Sequence, residues 1–435
     1  MADLELVQRL EQTRAESGTI WGPPYQSSSL AQSADEQYAL AFRQSGMDVD
    51  ALGLNDAVER ITARRAIAAA LLPAMDDWVA VRSVLRDKVA AHRLLDLLKA
   101  ADADPWRQQV RDAIGRGDRR TLATLAKSPD LERQPAATLA FLCAALRSHG
   151  MFPAELEVLR RTQWKYPADF WTNLRLGTSL TWFKGSQDVN EGIGYLRAAM
   201  AVRPRSDQAA AMVGNGYYFL REFDQSIAWY RKAIEIRGTS AESSGWYSNL
   251  GITLGQAGQH QAAISAFEQS IKLKAGSVEA YCEFAMVLSN SQEARLRDPD
   301  RAAEMAERAL ELNPKAGGCW SALGVARYRQ NQWQEARIAL KKSLELGGLP
   351  APPALRDEAD FVIVDWLFLA MSSWKVGEPD EARRCYQQAV AVMESRKPTS
   401  HELLGLRAEA EALLGLAAQP ASRPATASGN PMTDP

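Results

Sequence analysis

The stretch "YSNLGITLGQAGQHQAAISAFEQSIKLKAGS", residues 247–277, decides the fold. Tyr247, Leu250, Gly251 and Leu254 recur at offsets of three and four, which places them on one face of a helix. Ala263, Phe267, Ser270 and Ile271 do the same for a second helix, and "QAGQHQ" turns the chain between them. A glycine inside a helix costs about 1 kcal/mol relative to alanine. Gly251 therefore implies a neighbouring backbone that comes too close for a side chain to fit.

The pattern recurs in both directions. Tyr281, Phe284, Ala285 and Leu288 precede Ala302, Ala306, Ala309 and Pro314; Trp320, Leu323, Gly324 and Arg327 precede Ala336, Leu340 and Ser343; Trp366, Leu369 and Ala370 precede Ala382, Tyr386 and Ala389. Backwards, Val213 and Gly214 precede Ser226, Tyr230 and Ala233, and Leu176 and Gly177 precede Leu196, Ala199 and Pro204. Leu142 and Cys143 open the earliest clear copy, which ends at Pro167. The equivalent positions Leu142, Leu176, Val213, Leu250, Phe284, Leu323 and Leu369 are 34, 37, 37, 34, 39 and 46 residues apart. The surplus over 34 falls on "KGSQDVNE", "GTSAES", "SNSQEARLRDP" and "GGLPAPPALRDE", which read as inserted loops.

This layout resembles the tetratricopeptide repeat (TPR), a helix-turn-helix unit of about 34 residues. The resemblance implies an all-α solenoid, a right-handed superhelix, with seven repeats over residues 136–396. One unit cannot bury both its faces, so units must stack. Gly177, Gly214, Gly251 and Gly324 are expected where the two helices of a unit press closest, with Ala263, Ala302, Ala336 and Ala382 as the opposing small surface. Phe267, Tyr230 and Tyr386 are expected to fill the gap to the next unit. Pro167, Pro204 and Pro314 stop second helices.

Residues 34–135 read as a helical array in another register. Its last part, around "IGRGDRR", looks like a decayed repeat, and the array would cap the solenoid. Residues 1–33 read as a short amphipathic helix followed by the linker "WGPPYQSSS". At the other end, 397–417 read as a capping helix, and the small, proline-rich 418–435 as a disordered tail.

With 46% hydrophobic and 24% charged residues in 435, the chain can bury a large core. A formal charge of −2 gives no bulk reason to bind nucleic acid or an anionic membrane. The arginines between Arg107 and Arg120 alternate with Asp112 and Asp118 at helical spacing and read as a solvated helix face. The apolar run "FVIVDWLFLAM" from Phe361 is too short to span a bilayer and contains Asp365. The first residues hold early acids and no apolar signal core, so a cytoplasmic protein is expected. Cys143, Cys282, Cys319 and Cys385 lie far apart, as do His92, His149, His260 and His401, and neither set has metal-ligand spacing. No cofactor and no metal are expected.

No phosphate-binding Gly-Lys-Ser/Thr loop, dinucleotide fingerprint, nucleophile elbow, His-Glu-x-x-His helix or kinase signature is present. Function is then expected on the inner face, formed by first-helix residues at the register positions of Trp171, Asn215, Tyr218, Ser248, Ile252, Glu279, Met286, Ser321, Val325, Tyr328, Met371 and Trp374. Aromatic, methionine and small polar residues suit a peptide or protein segment better than a nucleic acid. The competing reading is that several of these are packing residues. Chaperone-binding relatives clamp a terminal carboxylate with asparagines and basic residues. Asn215 and Asn249 match the asparagines, but Glu279 and Glu283 stand where the basic pair belongs, which argues against such a clamp.

Several phrases, including "MDDWVAVR", "DADPWRQQVRDAIGRGDRRTLATLA", "YPADFWTNLRLGTSL" and "DWLFLAMSSWKVGEPDEARRCYQQAV", are similar to TPR-rich regions that follow the catalytic domain of planctomycete-type bacterial serine/threonine kinases. That likeness, over about residues 34–416, implies a partner-recruiting module in signalling, with a kinase-linked partner. Its alternative form is a regulatory segment whose kinase domain lies upstream or on another chain.

Overall fold

A computed structural model describes residues 2–17, 27–183, 186–291, 294–347, 358–396 and 401–416. Helices and their connecting turns account for these residues, and no strand occurs among them. The all-α expectation holds. The chain divides into two compact units, one ending at Tyr281 and one beginning at Cys282.

The first unit opens with α1 (Ala2–Ser17), α2 (Ser27–Gln44), α3 (Leu54–Ala63), α4 (Ala68–Val84) and α5 (Lys88–Ala101). The pairs α6/α7 (Pro105–Arg116, Arg119–Lys127), α8/α9 (Ala136–Ser148, Phe152–Lys165), α10/α11 (Phe170–Phe183, Ser186–Val202), α12/α13 (Asp207–Phe219, Phe223–Arg237) and α14/α15 (Ser244–Gln256, His260–Leu273) follow. Helix α16 (Val278–Asn290) spans the division. The second unit holds α17 (Pro299–Leu312), α18/α19 (Gly317–Arg329, Trp333–Glu345), α20/α21 (Glu358–Lys375, Pro379–Arg396) and α22 (His401–Leu414).

One turn recurs through both units. The first helix of a pair ends on a left-handed residue, with φ +68° at Gly150, +60° at Arg221 and +74° at Gly258, and with +61° at Asn331 and +86° at Gly377 in the second unit. Each lies eight residues after the reference position that defines the repeat. Gly258 N–H donates to the Gly255 carbonyl at 3.0 Å and Gln259 N–H to the Leu254 carbonyl at 2.8 Å, which satisfies carbonyls that a helix end leaves open. The same hydrogen bonds close α2 at Gly46, α4 at Arg86 and α6 at Gly117, so the N-terminal helices use the turn of the later pairs.

The glycines sit at the crossings. A Cβ added to Gly177 would lie 2.6 Å from Leu196 Cγ and 2.8 Å from the Gly192 carbonyl oxygen; at Gly324 it would meet Leu340 Cγ at 2.6 Å, and at Gly251 the Phe267 ring at 2.9 Å. Gly192 is thus the small residue opposing Gly177, which the alanine pattern did not reveal. Ala263, Ala302, Ala336 and Ala382 are fully buried. Phe267 and Tyr230 pack against Gly251 and Gly214 of their own units, so these rings fill the hole that each glycine leaves. Tyr386 is half-buried and its hydroxyl donates to Glu411 Oε1 of α22.

Three expectations need correction. Arg111 is not on a solvated face: it is fully buried, 2.9 Å from Asp76 and 2.7 Å from Asp102, because α4 and α5 cover that side of α6. "KGSQDVNE" is not simply a loop, since α11 begins at Ser186 and takes up surplus as an extra helical turn; Asp188 in that first turn complements the helix dipole. The end of "WGPPYQSSS" is helical from Ser27 on. The rest of that linker, most of "GGLPAPPALRDE" and the tail at 418–435 lie outside the described residues.

Candidate protein-binding face

The twelve expected face residues fall into two groups. Asn215, Met286, Ser321, Val325 and Met371 are at most 1% exposed, whereas Trp171, Tyr218, Ser248, Ile252 and Tyr328 keep 6–9% and Glu279 and Trp374 are half-exposed. The first group is enclosed because first-helix side chains meet their neighbours before they meet solvent. Asn215 accepts a hydrogen bond from the Tyr230 hydroxyl, and Met371 Sδ lies 3.7 Å from the Tyr328 hydroxyl. Six of the twelve, Trp171 through Glu279, belong to the first unit, and six, Met286 through Trp374, to the second.

In the first unit the chain itself occupies part of this face. Counting back from the Arg86 turn gives α4 the repeat register, with Asp76 and Ala80 at inner positions and Asp77 next to them, at the register position of Arg175 and Asn249. Asp76 meets Arg111 of α6, and Ala80 packs on Ala144 of α8, itself at the register position of Asn215 and Ile252. Asp77 accepts from Arg175 of α10 at 3.2 Å and from Arg14 of α1 at 2.8 Å. Two small residues, Ala80 and Ala144, let the helices cross closely, while paired charges at the flanks fix the alignment. Trp171 is covered as well, with the guanidiniums of Arg14 and Arg203 5.3 and 5.0 Å from its ring centroid. Attraction of a cation to an aromatic face holds both.

Burial sets the electrostatics here. It pushes the Asp76 carboxyl up to about 6 despite the Arg111 contact. Burial acts the same way on Asp102, but hydrogen bonds from Arg107, Arg111 and the Asp104 backbone outweigh it and hold that carboxyl down to about 2.

In the second unit the face is built from Tyr328, Phe368 and Arg329. Tyr328 and Phe368 rings lie edge to face at 5.2 Å, and Arg329 sits 5.1 Å from the Phe368 centroid. Arg329 also donates to Glu409 of α22 at 2.9 Å. Helix α22 buries Leu403, Leu406, Ala410 and Leu414, and packs chiefly along α20. Behind this face Asp365 is fully buried and accepts from the Ser343 hydroxyl at 2.6 Å. Burial pushes its carboxyl up to about 7, against hydrogen bonds from Ser321 and Ser343.

Among the described residues no group of three His, Cys, Asp or Glu gathers that could hold a metal ion, and no helix is long and apolar enough to cross a membrane. All four cysteines are buried with free thiols.

Comparison with known proteins agrees with the fold. Residues 207–275 and 293–348 match models of the tetratricopeptide repeat. No curated protein matches the chain. Among solved structures, YrrB, described as a TPR protein with an unusual peptide-binding site, is 16% identical over 44% of this chain and 94% of its own, with a TM-score of 0.33. A tetratricopeptide repeat protein from Parabacteroides merdae is 13% identical over 63% of this chain and 98% of its own, with a TM-score of 0.46. The Cut9–Hcn1 assembly is 16% identical over 89% of this chain and 75% of the matched one, with a TM-score of 0.45.

Proposed function

We propose that this chain, a tetratricopeptide-repeat protein, is a non-catalytic scaffold that binds peptide or protein segments on the first-helix face of its repeats. Repeats of this family mediate protein binding. The observation that carries the reading is that the face already holds a helix: α4 is seated on α6, α8 and α10 by two buried carboxylates, which meet Arg111 and Arg175, and by one alanine-on-alanine contact. A surface that accepts its own helix this way has the chemistry for another. The half-exposed Glu279 and Trp374, and Tyr218, Ser248, Ile252 and Tyr328, which keep 6–9% exposure, are the positions assigned to a partner. The enclosed five are assigned to packing.

A peptide library selected on the immobilised chain tests this, with a Tyr218→Ala, Glu279→Lys, Trp374→Ala variant in parallel and helicity checked by circular dichroism. Selected peptides should lose at least tenfold in affinity for the variant. Equal binding to both proteins would remove the first-helix face from the account.

A second reading places the chain in kinase-linked signalling, as a partner-recruiting or regulatory segment. It rests on the tryptophan-bearing phrases at "MDDWVAVR" and "DWLFLAMSSWKVGEPDEARRCYQQAV". A kinase lobe encoded in frame upstream, or co-purified on another chain, would support it.

A further inference from the structure

Helix α1 packs against α2 and α4 at the first unit's inner face. Leu6 and Leu10 are buried, and Arg14 completes the row at a spacing of four. That arginine reaches Asp77 at 2.8 Å and the Trp171 ring, while Glu11 pairs with Arg203 at 3.1 Å in a bridge whose side chains are each 42% exposed. Beneath the helix a crevice of about 230 Å³ stays open, lined by Val7, Leu10, Pro73 and Ala137 among other apolar residues and by the charged Glu11 and Arg14. Ala137 lies two residues into α8 and Trp171 two into α10, so the crevice opens onto the repeat face.

We propose that α1 is an intramolecular placeholder in a helix-binding seat, and that the partner is an amphipathic helix carrying α1's leucine, leucine, arginine row with a bulkier apolar residue where α1 has Val7. The charges define the ligand. Asp77 and the Trp171 ring both select a cation at the Arg14 position, and Arg203 selects an acid at the Glu11 position. The open crevice supplies the reason for exchange. A partner that fills it makes the contacts of α1 and adds dispersion contacts that α1 leaves unmade. A larger apolar side chain there removes more apolar surface from water than Val7 does, and so favours the foreign helix. The inference deepens the scaffold reading by naming one seat and the chemistry of its ligand.

The full chain serves for the test, with fluorescent synthetic peptides spanning residues 2–17 as probes. A Val7→Phe peptide should bind, the native-sequence peptide at least tenfold more weakly, and a Val7→Phe, Arg14→Glu peptide not measurably. Binding should be accompanied by faster hydrogen exchange in α1 of the protein. Installing Val7→Phe in the protein's own α1 should weaken capture of the Val7→Phe peptide at least tenfold. The proposal is overturned if the two Val7→Phe peptides bind alike, if neither binds, or if α1 exchange is unchanged on binding. Peptide selection at Tyr218, Glu279 and Trp374 reads a different part of the face, so that reading can survive the loss of this one.

Discussion

Gly177→Ala is the sharpest probe of the register. In an open helix the change would stabilise by roughly 1 kcal/mol, the propensity difference between the two residues. Here the new Cβ would stand 2.8 Å from the Gly192 carbonyl oxygen, a backbone atom that cannot rotate away, and 2.6 Å from Leu196 Cγ. Overpacking of this kind costs about 1–3 kcal/mol. With the propensity gain subtracted, the net loss is about 1–2 kcal/mol, since the backbone contact favours the upper part of that range. Gly194 on the same helix pair supplies the control, because nothing lies within 4 Å of its added Cβ. Gly194→Ala should stabilise by about 0.5–1 kcal/mol. Stacked repeats need not unfold in one step, so native-state hydrogen exchange of the α10 and α11 amides is the suitable assay. Gly177→Ala should speed those amides roughly 5- to 30-fold, and Gly194→Ala should slow them. If Gly177→Ala leaves protection at the parent level, the close crossing does not exist and the repeat register is wrong.

Further expectations concern buried charge and the turns. For Asp365, with its folded carboxyl near 7 and the usual unfolded value near 3.9, stability is fully present below about pH 4 and is lost as pH rises to 7, by about 4 kcal/mol. Asp365→Asn removes that titration, so its urea midpoint should change less than the parent's between pH 4 and pH 8. Arg111→Ala strands the buried Asp76, while Asp102 keeps Arg107, and should cost about 3–5 kcal/mol in chemical unfolding. Arg221→Gly relieves a left-handed residue, φ +60°, and should raise the unfolding midpoint by the equivalent of up to about 1 kcal/mol.

Glycine and alanine positions made the repeats legible, because small residues at a crossing leave a periodic mark in composition. Gly251 and Ala263 are read correctly for that reason. Gly192 escapes the pattern because the three-residue surplus of that repeat puts it 15 residues after Gly177, where Ala263 and Ala336 follow Gly251 and Gly324 by 12. The turns were legible too: Gly150, Gly258 and Gly377 share an offset of eight from the reference residues, as do Arg221 and Asn331, but the latter carry no glycine to announce the left-handed backbone. Burial of the charged residues was hidden. Arg111 has helical spacing to other charges, and only the distant α4 decides that it faces inward. The same limit applied to the face residues. A register places Asn215 and Met371 on the inner side but does not say what covers them, which is Tyr230 of α13 for Asn215 and Tyr328 of α18 for Met371.

The pairing of α4 with the repeat face bears more on alignment than on strength. A buried ion pair gains little over apolar packing of the same volume, whereas one partner left alone is strongly unfavourable. Sliding α4 by one turn would move Asp76 away from Arg111 and Asp77 away from Arg175 while leaving an apolar surface still able to bury. The hydrophobic contacts alone would tolerate the slip; the stranded carboxylates would not. Two adjacent acids facing arginines on two different helices, α6 and α10, thus fix position along the face and rotation about the helix axis together. Any partner helix that uses this face meets the same condition, because Arg203 and Trp171 sit at its rim with their own demand for an acid and a cation. An apolar stripe without those charges would bury the same surface and still lose to α1.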